Sequence, residues 1–158
     1  MRNRPERAGE GDTDPEVVIR PANRGDWIGV MSVLDGALLD VDAEGVRERI
    51  AADTVLVAHA SGSERVRGAL VLAEPRTDDR GSETETEIEV DAIAVRRRYR
   101  DRGIGSALID RARRETDRVL VTEFDARVRP FYAALGFLVA PIGDDRFRGR
   151  DAAGSDRE

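Results

Sequence analysis

The stretch from Glu87 to Leu108 constrains this chain more than any other. Ile88, Val90, Ala92 and Ala94 alternate with Glu87, Glu89, Asp91, Ile93 and Val95. A period of two marks a strand, with the first set pointing one way and the second the other. The alternation runs into Arg96-Arg97-Arg98-Tyr99-Arg100-Asp101-Arg102-Gly103-Ile104-Gly105, beyond which Ile104, Ala107, Leu108 and Ala112 recur at helical spacing. A strand that feeds a helix through a basic, glycine-bearing loop is built to cradle an anion. The glycines let successive N–H groups converge, and the helix N-terminus adds partial positive charge. Arg100 and Arg102 add full charges beside it. On these residues alone a solvated basic turn remains the plain alternative.

The rest of the chain supplies the partners such a strand needs. Val17-Val18-Ile19 reads as a short strand closed by Pro21. Asp26 is placed to cap a helix carrying Trp27, Val30, Met31, Leu34 and Leu38. A second helix is expected over Ala43–Ala52, then a hairpin of Thr54–Ala60 and Val66–Ala73 around Ser61-Gly62-Ser63. After the 104–112 helix come a strand at Val119–Thr122, a short helix over Val128–Leu135 ended by Gly136, and strands at Phe137–Ala140 and Arg146–Arg150. The order β-α-α-β-β-β-α-β-α-β-β argues for a mixed α/β or α+β sheet covered on both faces. Segments 1–15 and 151–158 read as disordered polar tails around a single domain at 16–150.

Composition removes several function classes. The chain has 158 residues and no Cys, so disulfides and thiolate metal sites are excluded. No apolar run approaches membrane-spanning length, and Met1–Glu16 lacks the apolar stretch of a secretory signal, which points to the cytoplasm. All 26 basic residues are Arg, against 32 acids, for a net charge of −6. Such a surface suits a salty cytoplasm, and a GC-rich genome accounts for it equally well. Residues 1–16 carry three Arg and five acids, and residues 151–158 one Arg and three acids. The body is therefore nearly balanced and offers no broad field for nucleic acid. The single His59 alternates with Val55 and Val57, and no metal-binding constellation surrounds it.

Arg100-Asp101-Arg102-Gly103-Ile104-Gly105 resembles the acyl-CoA-binding core of the GNAT superfamily, Gln/Arg-x-x-Gly-x-Gly/Ala. Pro130-Phe131-Tyr132-Ala133-Ala134-Leu135-Gly136-Phe137 is similar to that family's Phe-Tyr-x-x-Leu-Gly-Phe segment, and Ile19-Arg20-Pro21-Ala22 to its opening strand. The resemblance spans about residues 17–150 in the family's order. It implies a mostly antiparallel sheet of six to seven strands with helices on both faces, and acetyl-CoA as co-substrate. The pyrophosphate would sit on the amides of Arg100, Asp101, Arg102, Gly103, Ile104, Gly105 and Ser106. The pantetheine arm would pair with Ile93, Ala94 and Val95 on a strand that bulges and splays from its neighbour.

The resemblance also implies catalytic roles. Tyr132 corresponds to the residue that often protonates the departing thiolate. Glu89, on the strand before the glycine loop and sharing a face with Asp91, Ile93 and Val95, is the leading base. Asp91 and Glu123 are its rivals, and Glu83, Glu85, Glu87 and Glu89 as an acidic series could simply be a solvated strand face. The stretch from Glu123 to Tyr132 is shorter than in members with an Asn-bearing loop, so contacts from such a loop do not transfer. The acceptor side would be lined by Trp27, Met31 and Leu34 and by Asp144–Phe147.

These features favour an enzyme that moves an acetyl group to a primary amine. An acidic acceptor side would select a cationic amine, a small molecule before a protein N-terminus. A non-catalytic acyl-CoA-binding or regulatory module is the alternative. Neither nucleic acid nor membrane is expected as a partner, and the sequence leaves monomer and homodimer both open.

Overall fold

The computed structural model describes residues 16–36, 42–73 and 87–152. In these residues the elements follow in the expected order: β1 (Val17–Pro21), α1 (Trp27–Gly36), α2 (Ala43–Ala51), β2 (Val55–Ala60), β3 (Gly68–Leu72), β4 (Glu87–Val95), α3 (Ile104–Glu115), β5 (Val119–Asp125), α4 (Arg129–Ala134), β6 (Phe137–Gly143) and β7 (Arg146–Asp151). The strands form one sheet in the order β1-β2-β3-β4-β5-β7-β6. Only β4 and β5 are parallel; α3 crosses over between them. Every other neighbouring pair is antiparallel.

Alternation sends the strands' apolar side chains into two cores. On one face Leu56, Leu70, Leu72, Ile88 and Val90 meet Ile104, Leu108 and Ile109 of α3 and Tyr132 of α4. On the other, Val55, Val57, Ala69 and Val71 meet Val30, Val33 and Leu34 of α1 and Val46 and Ile50 of α2. All six residues of β2 are buried because helices cover both of its sides. Burying a Leu or Val side chain contributes about 1.5–3 kcal/mol, so these paired cores are what hold helices to sheet. No helix among the described residues is long and apolar enough to cross a membrane.

Local chemistry sets the element ends, with some departures from expectation. Asn23, not Asp26, caps the turn into α1, its side chain accepting from Gly25 N at 2.8 Å. Asp26 completes the capping box by accepting from Asn23 N and is drawn inward by a two-pronged contact from Arg20 at 2.8 and 3.1 Å. His59 is packed as expected. Its Nε2 accepts from Arg20 Nε at 3.1 Å, which puts the ring proton on Nδ1, facing Ala60 O at 2.9 Å. Leu38 and the acids Glu83 and Glu85 lie outside the described residues. Strand β5 runs three residues beyond its expected end because β7 pairs with it through Asp125↔Arg146. Tertiary pairing there overrides a weak local signal. Strand β7 reaches Asp151, one residue into the segment read as a tail, and Asp151 is fully buried.

Candidate active site

Two irregularities in β4 make the site. Val71 pairs with Ala92 and Leu72 with Val90, so Asp91 is an extra residue with no partner opposite, a β-bulge. The bulge reverses the facing of the strand. Ile88 and Val90 point to the α3 side, as do Ile93 and Val95 beyond the bulge, whereas Ala92 and Ala94 point to α1 and α2. The expectation of one uninterrupted alternation is therefore corrected. Glu89 and Asp91 lie on the face opposite Ile93 and Val95.

The second irregularity is a splay. Strands β4 and β5 pair only at Glu87↔Val119, Ile88↔Leu120 and Glu89↔Val121, although β4 continues to Val95 and β5 to Asp125. A slot opens beyond the Glu89 row. Arg96 N–H donates to Arg67 O, toward the β3 side. Successive strand residues present their backbone groups to opposite edges. Ile93 and Val95 thus turn N–H and C=O into the slot, while Ala94 turns toward β3, where it pairs with Ala69. Ala94 is in this respect unlike its two expected companions.

The slot leads to the glycine loop. After a 3-10 turn at Arg97–Tyr99, Asp101 and Gly103 take left-handed backbone angles, φ 64° and 86°. Gly103 is the N-cap of α3, and no side chain caps the helix. The first amides of α3, which have no partner within the helix, therefore face outward. A Cβ on Gly103 would meet nothing within 4 Å, so the space over the cradle is open. Gly105 serves a different need: a Cβ there would lie 3.1 Å from the Phe131 ring. The arginines are ordered by the protein itself. Arg100 Nε donates to Val95 O at 2.9 Å, and the guanidinium of Arg67 stacks on Tyr99 at 3.9 Å. Arg98 and Arg102 flank the same ring, each at 5.7 Å.

Tyr132 sits on the α3 side of the slot and is 3% exposed. Its ring stacks on Phe124 at 4.6 Å and is held edge-on by Phe131 and Phe137. Burial pushes the phenol above its ordinary pKa, and a hydrogen bond with Thr122 pulls part of the way back. Thr122 Oγ1 also lies 3.4 Å from Val90 O, one residue past the last β4–β5 pair. The phenol and this hydroxyl thus stand at the foot of the splay. Sequence reading missed Thr122, although it is the one polar residue in phase with Leu120 and Phe124 on β5.

The acids stand on the opposite, open face. Glu89 is solvent-exposed in the last paired row. Asp91 is held by Arg49 of α2 at 2.7 Å, and Glu123 by Arg148 of β7 at 3.2 Å. Glu87 pairs with Arg150 at 3.2 Å. This face is not acidic, contrary to expectation, because Arg148 and Arg150 of β7 stand beside Glu123 and Glu87, and Arg49 of α2 beside Asp91. The expected acceptor lining is also dispersed. Leu34 is core, and Phe147 stacks toward Phe124 on the other face. Trp27 donates to Ala43 O and lies under Arg47. With Asn23, Glu44 and Asp53 it borders a groove of about 770 Å³ to which no residue of β4, β5 or the glycine loop contributes.

Known proteins share this fold. No curated protein sequence matches the chain significantly. Among solved structures, the PaiA N-acetyltransferase of Thermoplasma acidophilum, crystallised with coenzyme A, matches with a TM-score of 0.69 at 14% identity, over 86% of this chain and 98% of that one. Ard1 of Thermoplasma volcanium matches with a TM-score of 0.65 at 21% identity, over 85% and 94%. The ribosomal-protein-S18-alanine N-acetyltransferase of Escherichia coli matches with a TM-score of 0.65 at 15% identity, over 85% and 92%. At these identities the likeness is one of fold. The family itself comes from sequence: the model of the acetyltransferase (GNAT) domain matches residues 51–139, over half the chain and inclusive of the splayed β4, the glycine loop and Tyr132, and this chain belongs to that family of acetyltransferases, whose co-substrate is acetyl-CoA.

Proposed function

We propose that the protein transfers the acetyl group of acetyl-CoA to the primary amine of a small molecule by direct attack in a ternary complex. The observation that carries this reading is the two-sided slot. A protonated phenol stands at its foot on the α3 side and a carboxylate, Glu89, on the open face in the last paired row. The residues present fit acetyl-CoA. The outward amides from Arg100 to Ser106 suit a pyrophosphate, and the slot-facing backbone of Ile93 and Val95 suits an amide-bearing arm added like a strand.

An ammonium has no lone pair, so Glu89 takes its proton as the amine enters from the open face. Glu89 is preferred over Asp91 and Glu123 because it occupies the row where the strands part. Ile93 N–H, the slot-facing amide nearer the foot, suits holding the acetyl oxygen as it gains charge. Tyr132 gives its proton to the sulfur as the C–S bond breaks, and the second proton shed by the nitrogen as the amide forms restores the phenol. Alignment of amine and thioester supplies most of the rate, since well-oriented pairs reach effective molarities of about 10⁵–10⁸ M.

Calorimetric titration of acetyl-CoA, in dilute buffer and in molar KCl, tests the first half, and thiol release with a panel of amines the second. Micromolar binding and amine-dependent thiol release are expected. No binding in either buffer would overturn the reading. Binding without thiol release for any amine would favour an acyl-CoA-binding module instead.

A further inference from the structure

We infer that the acceptor is a zwitterion, an amine with a carboxylate a few bonds away, and that Arg148 recognises the carboxylate. The inference rests on the acetyl transfer proposed above and specifies its acceptor. It starts from the charge of the open face. There Glu87, Glu89 and Glu123 of β4 and β5 stand among Arg146, Arg148 and Arg150 of β7. Asp125, at the end of the row, is taken by Arg127 at 3.1 Å. Three acids against three arginines leave no net negative field. A di- or polycation would meet as much repulsion as attraction here, whereas a molecule carrying one charge of each sign finds a partner for both.

Position singles out Arg148. It pairs across the strands with Glu123, yet its guanidinium also lies 3.7 Å from Glu87. Glu87 is two residues before the foot of the splay on β4, and Glu123 is two residues beyond Val121 on β5. A head group near both carboxylates has crossed β5 and lies over the Glu89↔Val121 row. That is the mouth of the slot, on the face from which the amine arrives. Of its five N–H groups, one hydrogen-bonds Glu123 Oε2 at 3.2 Å, while the Glu87 contact is beyond hydrogen-bond length. Arg148 is 41% exposed, and an exposed ion pair this long contributes little. A ligand carboxylate offering two parallel hydrogen bonds would displace Glu87 from it. Glu87, still held by Arg150 through Oε2, would then offer Oε1 to the ammonium beside the neighbouring Glu89.

Thiol-release kinetics on matched probes test this: the twenty L-amino acids, their carboxamides, and spermidine. At least one amino acid is expected to exceed its carboxamide by tenfold or more in kcat/KM. Arg148→Gln should remove that preference by lowering the amino-acid value alone. Arg148→Lys should restore part of it, and calorimetric acetyl-CoA affinity should stay unchanged in both, showing that the fold is intact. Carboxamides equal to or better than the acids, spermidine as the best acceptor, or a preference that survives Arg148→Gln would each overturn the inference. Acetyl-CoA binding with no amine accepted at all would instead bring down the transfer reading, and this inference with it.

Discussion

Tyr132 shows how one residue is fitted to a proton-transfer task by its surroundings. A phenol ordinarily titrates near 10. Here the packing of Phe124, Phe131 and Phe137 removes water, and burial raises that value, while the Thr122 hydroxyl stabilises the ionised form and offsets part of the rise. The protonated form is the acid, a raised pKa preserves it to higher pH, and activity should decline only as pH climbs through the folded value, above 10. Thr122→Val removes the offset and should push that alkaline limb further up. Tyr132→Phe should lower kcat by about 10²–10⁴-fold, the usual worth of a positioned acid, abolish the limb, and leave calorimetric affinity for acetyl-CoA in place. A kcat within threefold of wild type in Tyr132→Phe would remove the phenol from the mechanism. The motif around Tyr132 is visible in sequence, but its hydroxyl partner is not, because Thr122 meets it only through a strand pairing and a helix packed ten residues later.

At the level of elements, the site depends on where regularity fails, and that is where sequence reads least well. Element order and the glycine loop follow from periodicity and turn residues. The bulge does not. Asp91 sits in phase with Glu87 and Glu89, so nothing local marks it as supernumerary; it is Arg49, 42 residues away on α2, that engages it. The splay is equally silent, since Ala92, Ile93, Ala94 and Val95 would suit a continuously paired strand. The two glycines of the loop look alike in sequence yet are required for different reasons. Gly103 needs a left-handed backbone and has space above it, whereas Gly105 has an ordinary backbone and the Phe131 ring 3.1 Å from where a Cβ would stand. Gly103→Ala should therefore cost about 1–2 kcal/mol of stability through backbone strain. Gly105→Val should push Phe131 against Tyr132, whose rings are already 4.9 Å apart, and lower kcat more than it lowers the melting temperature. Thermal denaturation and steady-state kinetics on the two variants separate these effects. Equal kinetic losses in both would mean that the two glycines share one role.

Across the whole molecule, the splay that makes the slot also leaves the sheet poorly joined. The half formed by β1 to β4 meets the half formed by β5, β7 and β6 through three residue pairs only. Something else must hold the halves in place, or the slot would vary in width. Helix α3 bridges them, anchored to the first half by Ile104 and Leu108, which pack over Gly68 where a Cβ would be 3.0–3.3 Å from both side chains. Its tie to the second half is Arg113. This side chain bonds Asp151 Oδ2 and Oδ1 at 2.8 and 3.1 Å and Leu135 O at 2.7 Å, gathering the end of β7 and the end of α4 onto α3. Burial works against the Arg113 charge, but the pairing with Asp151, seconded by Asp110, outweighs it and raises the pKa. Asp151 is 1% exposed, so removing Arg113 would take two charged hydrogen bonds from a buried carboxylate, a change that costs about 3–5 kcal/mol. Arg113→Met should show that loss as a lower urea midpoint. Arg113→Met with Asp151→Leu, which removes both charges and keeps the volume, should recover most of it. The recovered protein should still have a lower kcat, because an apolar contact holds the halves together without fixing the angle between them. A double variant as unstable as the single one would show that packing, not the uncompensated charge, dominates at this junction. Full activity in the double variant would show that the width of the slot does not depend on the Arg113 bond.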